Sequence, residues 1–579
     1  MTFECHASSG ARLAGASLAY LLLLPLPIRG LWTYIPMGIN RGSSKGTAAA
    51  AALGSVRSLC AQQQQSRYFT TTTAVAQVGD TAVLSLGSPS SPPSVCVIGA
   101  GAAGLAAGRV LRDEGLRVTI FDKELDGMGG VWRYRPESEA ESEARQTKAP
   151  MYRSLVTNLP KQVMSFFGFP FPEDNQSFTT HAQVLDYLCS FADEHKLHPL
   201  IKLGCPVETV RPVVAAGDSG GAGRVSGGAS PSSEEGARVS VAGTAAADGD
   251  SKGGATWDKG QLAGTLGKWE VVYHRGSGVN APSVDGTDTF DPAAAAGRAT
   301  TRVTEEFEAV CVCNGHFDDA FSPEAEGMDK FRGKIMHARE YDTPGVDAFV
   351  GKRVLCVGSR SSGTDIAREV SSVGDVVHVC DRSNHITVRG GERDNVWWRP
   401  ALERFEGANG VRFKSGELEE VDTVVWCTGY KYSFPFLEGS DLLTDPVSVR
   451  VHPLYEQLFH MQHPSLSFIG LPQSIVPFPL FEVQANAVAA AITGRASFPP
   501  RRARAVASGR RGESSRAGVD PASRGAHVLH HRQWDYLRRL LRLASGPGSW
   551  HEDLSQQVLT ATMKQPPALG REMAMLTKV

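Results

Sequence analysis

One local pattern occurs twice in this chain, an apolar strand running into a glycine turn and then a helix, and it limits the possible folds more than any other feature. The first copy reads SVCVIGAGAAGLAAG, with Val95–Ile98 as the strand and Gly99, Gly101 and Gly104 in GxGxxG spacing. Gly99 permits the sharp turn, and Gly101 lets backbone N–H groups approach a pyrophosphate. Gly104 lets a helix over Leu105–Glu114 lie against the sheet with its positive end toward the phosphates. The next strand, RVTIFD, ends at Asp122, eighteen positions past Gly104, which is where a carboxylate meets a ribose hydroxyl. Ala102, Ala103 and Lys123 complete the contacts expected of a first dinucleotide.

The second copy is KRVLCVGSRSSGTDIAREV, with a strand over Arg353–Val357, then Gly358, Ser359, Ser362 and Gly363, and a further strand VVHVC reaching Asp381 and Arg382. Its acid again follows the last glycine by eighteen positions. Arg360 replaces the middle glycine, where a side chain is expected to crowd a pyrophosphate. Arg382 could pair with a 2′-phosphate, but Asp381 beside it would repel that group, so these residues leave NADPH and NADH both open. The expected fold is α/β with two doubly wound, Rossmann-like domains, the second inserted into the first. The boundaries are 93–340 and 422–579 for the outer domain and 341–421 for the insert. The CTGY turn at Cys427 marks the return.

Between the two turns, Phe331, Gly333, His337 and Tyr341 spell FxGxxxHxxxY. Other blocks follow in order: GGVW (Gly129–Trp132), MYRSLVTN (Met151–Asn158), FPFPED (Phe169–Asp174), VCNGH (Val312–His316), CTGYKY (Cys427–Tyr432) and FIGLPQSIVPFPLFEVQ (Phe468–Gln484). On these blocks the chain resembles the flavin-containing monooxygenases over roughly residues 94–500, most closely the plant-type S-oxygenating branch. Only a short segment separates Arg382 from Val411, leaving no room for the long insertion of the animal branch.

The resemblance implies that the first turn binds FAD and the second NADPH. It places Gly130, Val131, Trp132, Thr428 and Gly429 at the cofactors, and Asn158 by the reacting edge of the flavin as the one candidate catalytic side chain. From the residues alone, Asn158 reads as a loop cap. His337 and Tyr341 are expected to pack domains together. The implied chemistry belongs to the cofactors: NADPH reduces FAD, O₂ adds at the flavin C4a to give a hydroperoxide, and a thioether sulfur or amine nitrogen of a small molecule takes the distal oxygen. An NADPH oxidase releasing H₂O₂, a keto-acid monooxygenase of the auxin-forming type and a flavin binder without turnover are the alternatives.

Composition narrows the classes further. With 41% hydrophobic residues and a net charge of −2 the chain can build a large core, and nothing marks it for nucleic acid. Of ten cysteines, Cys96, Cys311, Cys313, Cys356, Cys380 and Cys427 lie in or beside apolar strand-like runs and read as small buried hydrophobes. No cysteine pair follows the first turn, which argues against dithiol chemistry beside the flavin, and no Cys/His cluster suggests a metal. Tyr341-Asp342 stands where Baeyer–Villiger enzymes carry Trp-Pro, which argues against ketone insertion.

Residues 1–92 carry scattered arginines and one acid, Glu4, before Asp80, a composition typical of targeting leaders. Within them an apolar run, Leu13–Ile28, holds two prolines and is shorter than the about 20 residues of a membrane span. An organellar transit peptide, a signal or bipartite leader, and a membrane anchor all remain open, and membrane contact is expected through this segment only. Stretches 215–267 and 276–298 read as mobile polar insertions flanking a strand, KWEVVY (Lys268–Tyr273). The basic run Arg501–Arg511 reads as a solvated linker. Gln533–Leu543 reads as a helix returning Trp534, Leu537 and Leu541 to the first domain.

Overall fold

The computed structural model describes residues 91–135, 150–213, 267–276, 300–390, 393–444, 449–496, 498 and 525–545. All of these fall within one compact unit, Gly87–Val579. Residues 1–90, nearly all of both insertions and the run Arg501–Arg511 lie outside the described residues.

Two mostly parallel sheets organise the molecule. The first is built on β1 (Ser94–Ile98), flanked in parallel by β2 (Arg117–Phe121) and β3 (Ala309–Val312). Its edges are Ile201–Lys202 beyond β2 and, beyond β3, Leu466–Phe468 and a hairpin of Leu454–Tyr455 with Phe459–His460. All residues of β1 and β3 are buried, which is why these strands read as continuous apolar runs without alternation. Helix α1 (Ala102–Asp113) follows the first turn, starting three residues earlier than expected and directly on Gly101.

In the second sheet the order is Val388–Arg389, β7 (Val396–Arg399), β6 (Val376–Cys380), β5 (Arg353–Val357), β8 (Thr423–Trp426) and β4 (Lys334–His337). Helix α2 (Ser361–Val370) follows its glycine turn. Both β4 and β8 belong to this sheet, so its strands run from Lys334 to Trp426 and extend past the expected limits of 341–421 on each side. The buried run TVVW of β8 pairs in parallel with β5, and the chain leaves the sheet at Cys427.

The expected strand KWEVVY is the middle of a three-stranded antiparallel sheet, Val207–Pro212, Trp269–Gly276 and Thr300–Phe307. A second such sheet is formed by Leu402–Glu406, Gly410–Phe413 and Leu418–Glu420.

Two C-terminal helices complete the first half. In α3 (Pro477–Ile492) nearly every residue is buried, polar Glu482 and Gln484 included. Helix α4 (Gln533–Ser545) lies on it, burying Trp534, Leu537 and Leu541 as its periodicity predicts, and Gln484 Nε2 donates to Tyr536 Oη at 2.8 Å. Among the described residues no helix is long and apolar enough to cross a membrane.

Candidate active site

The two glycine turns superpose in their steric logic. A Cβ on Gly99 would lie 2.5 Å from Cys313 O, and one on Gly358 would lie 2.4 Å from Cys427 O. Both glycines have left-handed φ, +107° and +111°, so a side chain is excluded by conformation and by space. Gly104 and Gly363 are equally confined, each with a would-be Cβ 1.8 Å from the carbonyl oxygen of its partner, Gly99 or Gly358. These glycines let each helix start hard against its sheet.

The middle position differs. Gly101 has φ −74° and ψ −175°, and Arg360 has φ −78° and ψ −174°. This extended backbone suits any residue, so Arg360 takes the turn without strain and its side chain is exposed. At Gly101, too, neither backbone conformation nor neighbouring atoms exclude a Cβ, which would make only ordinary contacts. Gly130 Cα lies 3.6 Å from the would-be Cβ, and Gly129 N donates to Ala100 O at 3.0 Å. The short turn of Gly130, Val131 and Trp132 therefore sits directly over the first glycine turn.

Both helices start without a side-chain cap, unlike helix His181–Glu194, which Thr180 and Gln183 close with a capping box. Uncapped N-termini carry unpaired N–H groups and a partial positive charge, which fit an anion such as a pyrophosphate. Two such ends behind sterically enforced glycines suit a pair of dinucleotides. Ala102 and Ala103 are buried in the first turn of α1, whereas Ser362 is exposed in the first turn of α2.

The acids at the ends of β2 and β6 also correspond. Asp122 Oδ2 accepts from Ala100 N at 2.5 Å and Oδ1 from Glu124 N at 2.8 Å. Burial pushes its carboxyl up, with these two amides acting against that. Asp381 Oδ1 accepts from Ser383 N at 2.7 Å. Its carboxyl is held below the usual range: burial pushes it up, but Ser383 and Ser359 outweigh that. Lys123 pairs with Asp318 at 2.7 Å, while Arg382 is exposed.

Asn158 connects the two halves. Its Nδ2 donates to Ser361 Oγ at 3.2 Å, across 203 positions of sequence, where α2 begins. The rest of Met151–Asn158 is anchored to the same helix, with Tyr152 Oη donating to Asp365 Oδ2 at 3.2 Å and Ser154 Oγ to Glu369 Oε1 at 2.5 Å. Glu369 Oε2 also accepts from Tyr341 Oη at 2.7 Å. The partners of Asn158, Tyr152 and Tyr341, namely Ser361, Asp365 and Glu369, carry no signal of their own in the sequence.

His337 is buried and structural. Its Nε2 faces Gly429 O at 3.1 Å while Nδ1 accepts from Arg339 N at 3.1 Å, which places the proton on Nε2. Burial lowers its pKa. Gly429 has φ +79°, and Thr428 Oγ1 donates to Phe321 O, so this turn is tied to the chain following β3. Of the six cysteines expected in the interior, Cys96, Cys311, Cys313, Cys356 and Cys380 are buried. Cys427, at the turn itself, is half-buried.

Comparison with known proteins agrees with this geometry. The profile of a family described as "Flavin-binding monooxygenase-like" matches residues 93–226, 294–397 and 393–545. Flavin-containing monooxygenases FMO GS-OX-like 2 and FMO GS-OX4 of Arabidopsis thaliana are 32% and 31% identical over 428 residues, covering 71% of this chain and 76% of each relative. The solved structure of S-allyl-L-cysteine S-oxygenase from Allium sativum is 29% identical, with a TM-score of 0.60 over 83% of this chain and 94% of that one. A structure titled Tmm from Pelagibacter sp. strain HTCC7211 shares the fold at 21% identity and a TM-score of 0.56. Two uncapped helix starts behind paired glycine turns suit the FAD and NADPH of such enzymes, and with these matches they establish that the chain belongs to the flavin-binding monooxygenase-like family, as a plant-type flavin-containing monooxygenase.

Proposed function

We propose that this monooxygenase uses NADPH and O₂ to oxygenate the sulfur of a small thioether. The observation that carries the reading is the reach of Asn158, from the half bearing the first turn to Ser361 at the start of the second turn's helix. An amide there is within range of whatever lies between two dinucleotides bound at the turns. The likeness to a garlic enzyme named for S-allyl-L-cysteine S-oxygenation supports sulfur as the acceptor.

Bound FAD, reduced by NADPH, would activate O₂ so that one of its oxygen atoms passes to sulfur and the other leaves as water. The chain's own part is binding, orientation and exclusion of water. Gly101 and the start of α1 receive the FAD pyrophosphate, and Asp122 faces the adenosine ribose with lone pairs left over from its two amide contacts. The start of α2, with Ser359 and Ser362, receives NADPH, and Arg382 is the cation available to its 2′-phosphate. Asn158 is exposed while its Nδ2 is engaged by Ser361, so the amide is oriented before substrate arrives. No acid or base need touch a thioether, whose sulfur loses no proton on becoming a sulfoxide.

The test is full-length protein loaded with FAD, supplied with NADPH, ¹⁸O₂ and S-allyl-L-cysteine. One labelled oxygen per sulfoxide and one NADPH consumed per product is the expected result. NADPH consumption matched by H₂O₂ with the thioether unchanged would refute it in favour of an oxidase. Labelled product from a tertiary amine but not from the thioether would move the acceptor to nitrogen.

A further inference from the structure

Asn158 does not stand alone on its face. Val156 pairs antiparallel with Thr180, Thr157 N donates to Thr179 O at 2.8 Å, and His181 N to Leu155 O at 3.3 Å. Side chains alternate across such a pair, and burial follows the alternation. Thr157 and Thr179 point inward, 5% and 0% exposed, while Val156 and Phe178 are 43% and 39% exposed. Continuing the register one step past Thr157–Thr179 sets Asn158 opposite Phe178. Asn158, Val156 and Phe178 therefore share one outward face, and that face is the one whose amide reaches α2.

Both arms of this ribbon are held. Thr157 Oγ1 donates to Leu159 O at 2.8 Å and accepts from Thr179 N at 3.0 Å. Buried Lys161 donates to three carbonyls, those of Pro172, Glu173 and Asn175, at 2.6, 3.0 and 2.5 Å, which fixes the turn leading back to Phe178. Single exposed hydrophobes are ordinary on protein surfaces. Here two of them flank Asn158, a polar side chain that reaches the start of α2, on a ribbon that cannot fold them inward.

We infer that Val156 and Phe178 form the wall against which an apolar substituent on the substrate's sulfur lies. The inference rests on the thioether reading above. An apolar wall beside a fixed amide recognises an apolar chain by contact and leaves the amide for the sulfur end. Discrimination is then graded with chain length, roughly fourfold per methylene from the transfer energy of a CH₂ group, with no sharp polar selection.

The experiment is kcat/KM of the full-length, FAD-loaded enzyme on S-methyl-, S-ethyl- and S-propyl-L-cysteine, for the wild type, Phe178→Ala and Val156→Thr. In the wild type the value climbs about fourfold per step. Phe178→Ala flattens the climb, and Val156→Thr, nearly isosteric, reduces it, while the rate at which NADPH bleaches the flavin stays the same in all three. A loss of fold or of cofactor would instead lower that bleaching rate, which separates a structural effect from a specificity effect. Parallel chain-length profiles in an active wild type and both variants would overturn the wall but leave the function standing. No sulfoxide from any of the three in the wild type would overturn the thioether reading and the wall together.

Discussion

Replacing Glu482 by Gln should change how the stability of this protein depends on pH. Glu482 lies in the middle of α3, fully buried. Its Oε1 accepts from Arg109 Nη2 of α1 at 2.6 Å and its Oε2 from Phe167 N at 2.7 Å. Burial pushes its carboxyl from 4.5 to about 7, because desolvation outweighs the attraction of Arg109 and the amide bond. A group whose pKa is higher folded than unfolded holds a proton that the unfolded chain has given up, so the stability it contributes is present at low pH and lost as pH rises through the folded value. The window is therefore about 4.5 to 7. At 1.36 kcal/mol per pH unit the full effect is on the order of 3 kcal/mol, of which about 2 kcal/mol falls between pH 5.5 and 7. Glu482→Gln keeps an acceptor for one donor and titrates nowhere. Urea midpoints of wild type and variant at pH 5.5, 6.25, 7 and 8 are the assay, read as a difference so that all other titrating groups cancel. The difference should move against the wild type by about 2 kcal/mol up to pH 7 and then level off. Parallel curves would refute the claim that the Arg109 pair fails to offset desolvation, and a movement in the opposite sense would show that the pair dominates.

Two further outcomes follow from the contacts around α2. Glu369→Ala leaves the buried hydroxyl of Tyr341 without its 2.7 Å acceptor, a loss of about 1–3 kcal/mol, whereas Tyr341→Phe leaves a half-buried carboxylate that water can reach and costs about 1 kcal/mol; urea midpoints of both single variants and the double variant should give that order, with a double cost below the sum. Gly363→Ala places a Cβ 1.8 Å from Gly358 O and must lift α2 off its strand, so equilibrium dialysis should show NADP⁺ binding at least about tenfold weaker, from misplaced helix-terminus donors, with flavin content unchanged. Flavin loss together with NADP⁺ loss would mean that the second turn does not act separately.

What could be read from the sequence was whatever local backbone geometry dictates. Gly99, Gly104, Gly358 and Gly363 were identifiable because each position forbids a Cβ, and the strands before them because buried parallel strands are apolar throughout. The same property hid the domain boundary. TVVW of β8 in the second sheet and AVCV of β3 in the first are chemically alike, and only the pairing of β8 with β5 reveals which sheet it joins. Helix α4 was legible from its one-sided apolar spacing. The partners of Asn158 were not, since Ser361 is 203 positions away and a serine in a first helical turn has no distinguishing pattern.

Arg360 shows that the three positions of the glycine turn carry different demands. The structure separates the demands within the protein from the one that a ligand would make. The first needs left-handed φ and the third needs space beside a carbonyl, and both turns keep glycine there. At the middle position the backbone is extended in both turns, so no conformational rule requires glycine. In the first turn the Gly129–Gly130 loop lies on Gly101 at ordinary contact distance, so glycine there answers to the approach of a pyrophosphate and not to crowding by the protein. GGVW and the first glycine turn are two halves of one contact. The second turn can carry an arginine because its middle position meets no conformational demand. That arginine adds a cation at the mouth of an uncapped helix end, where an anionic dinucleotide is expected to arrive.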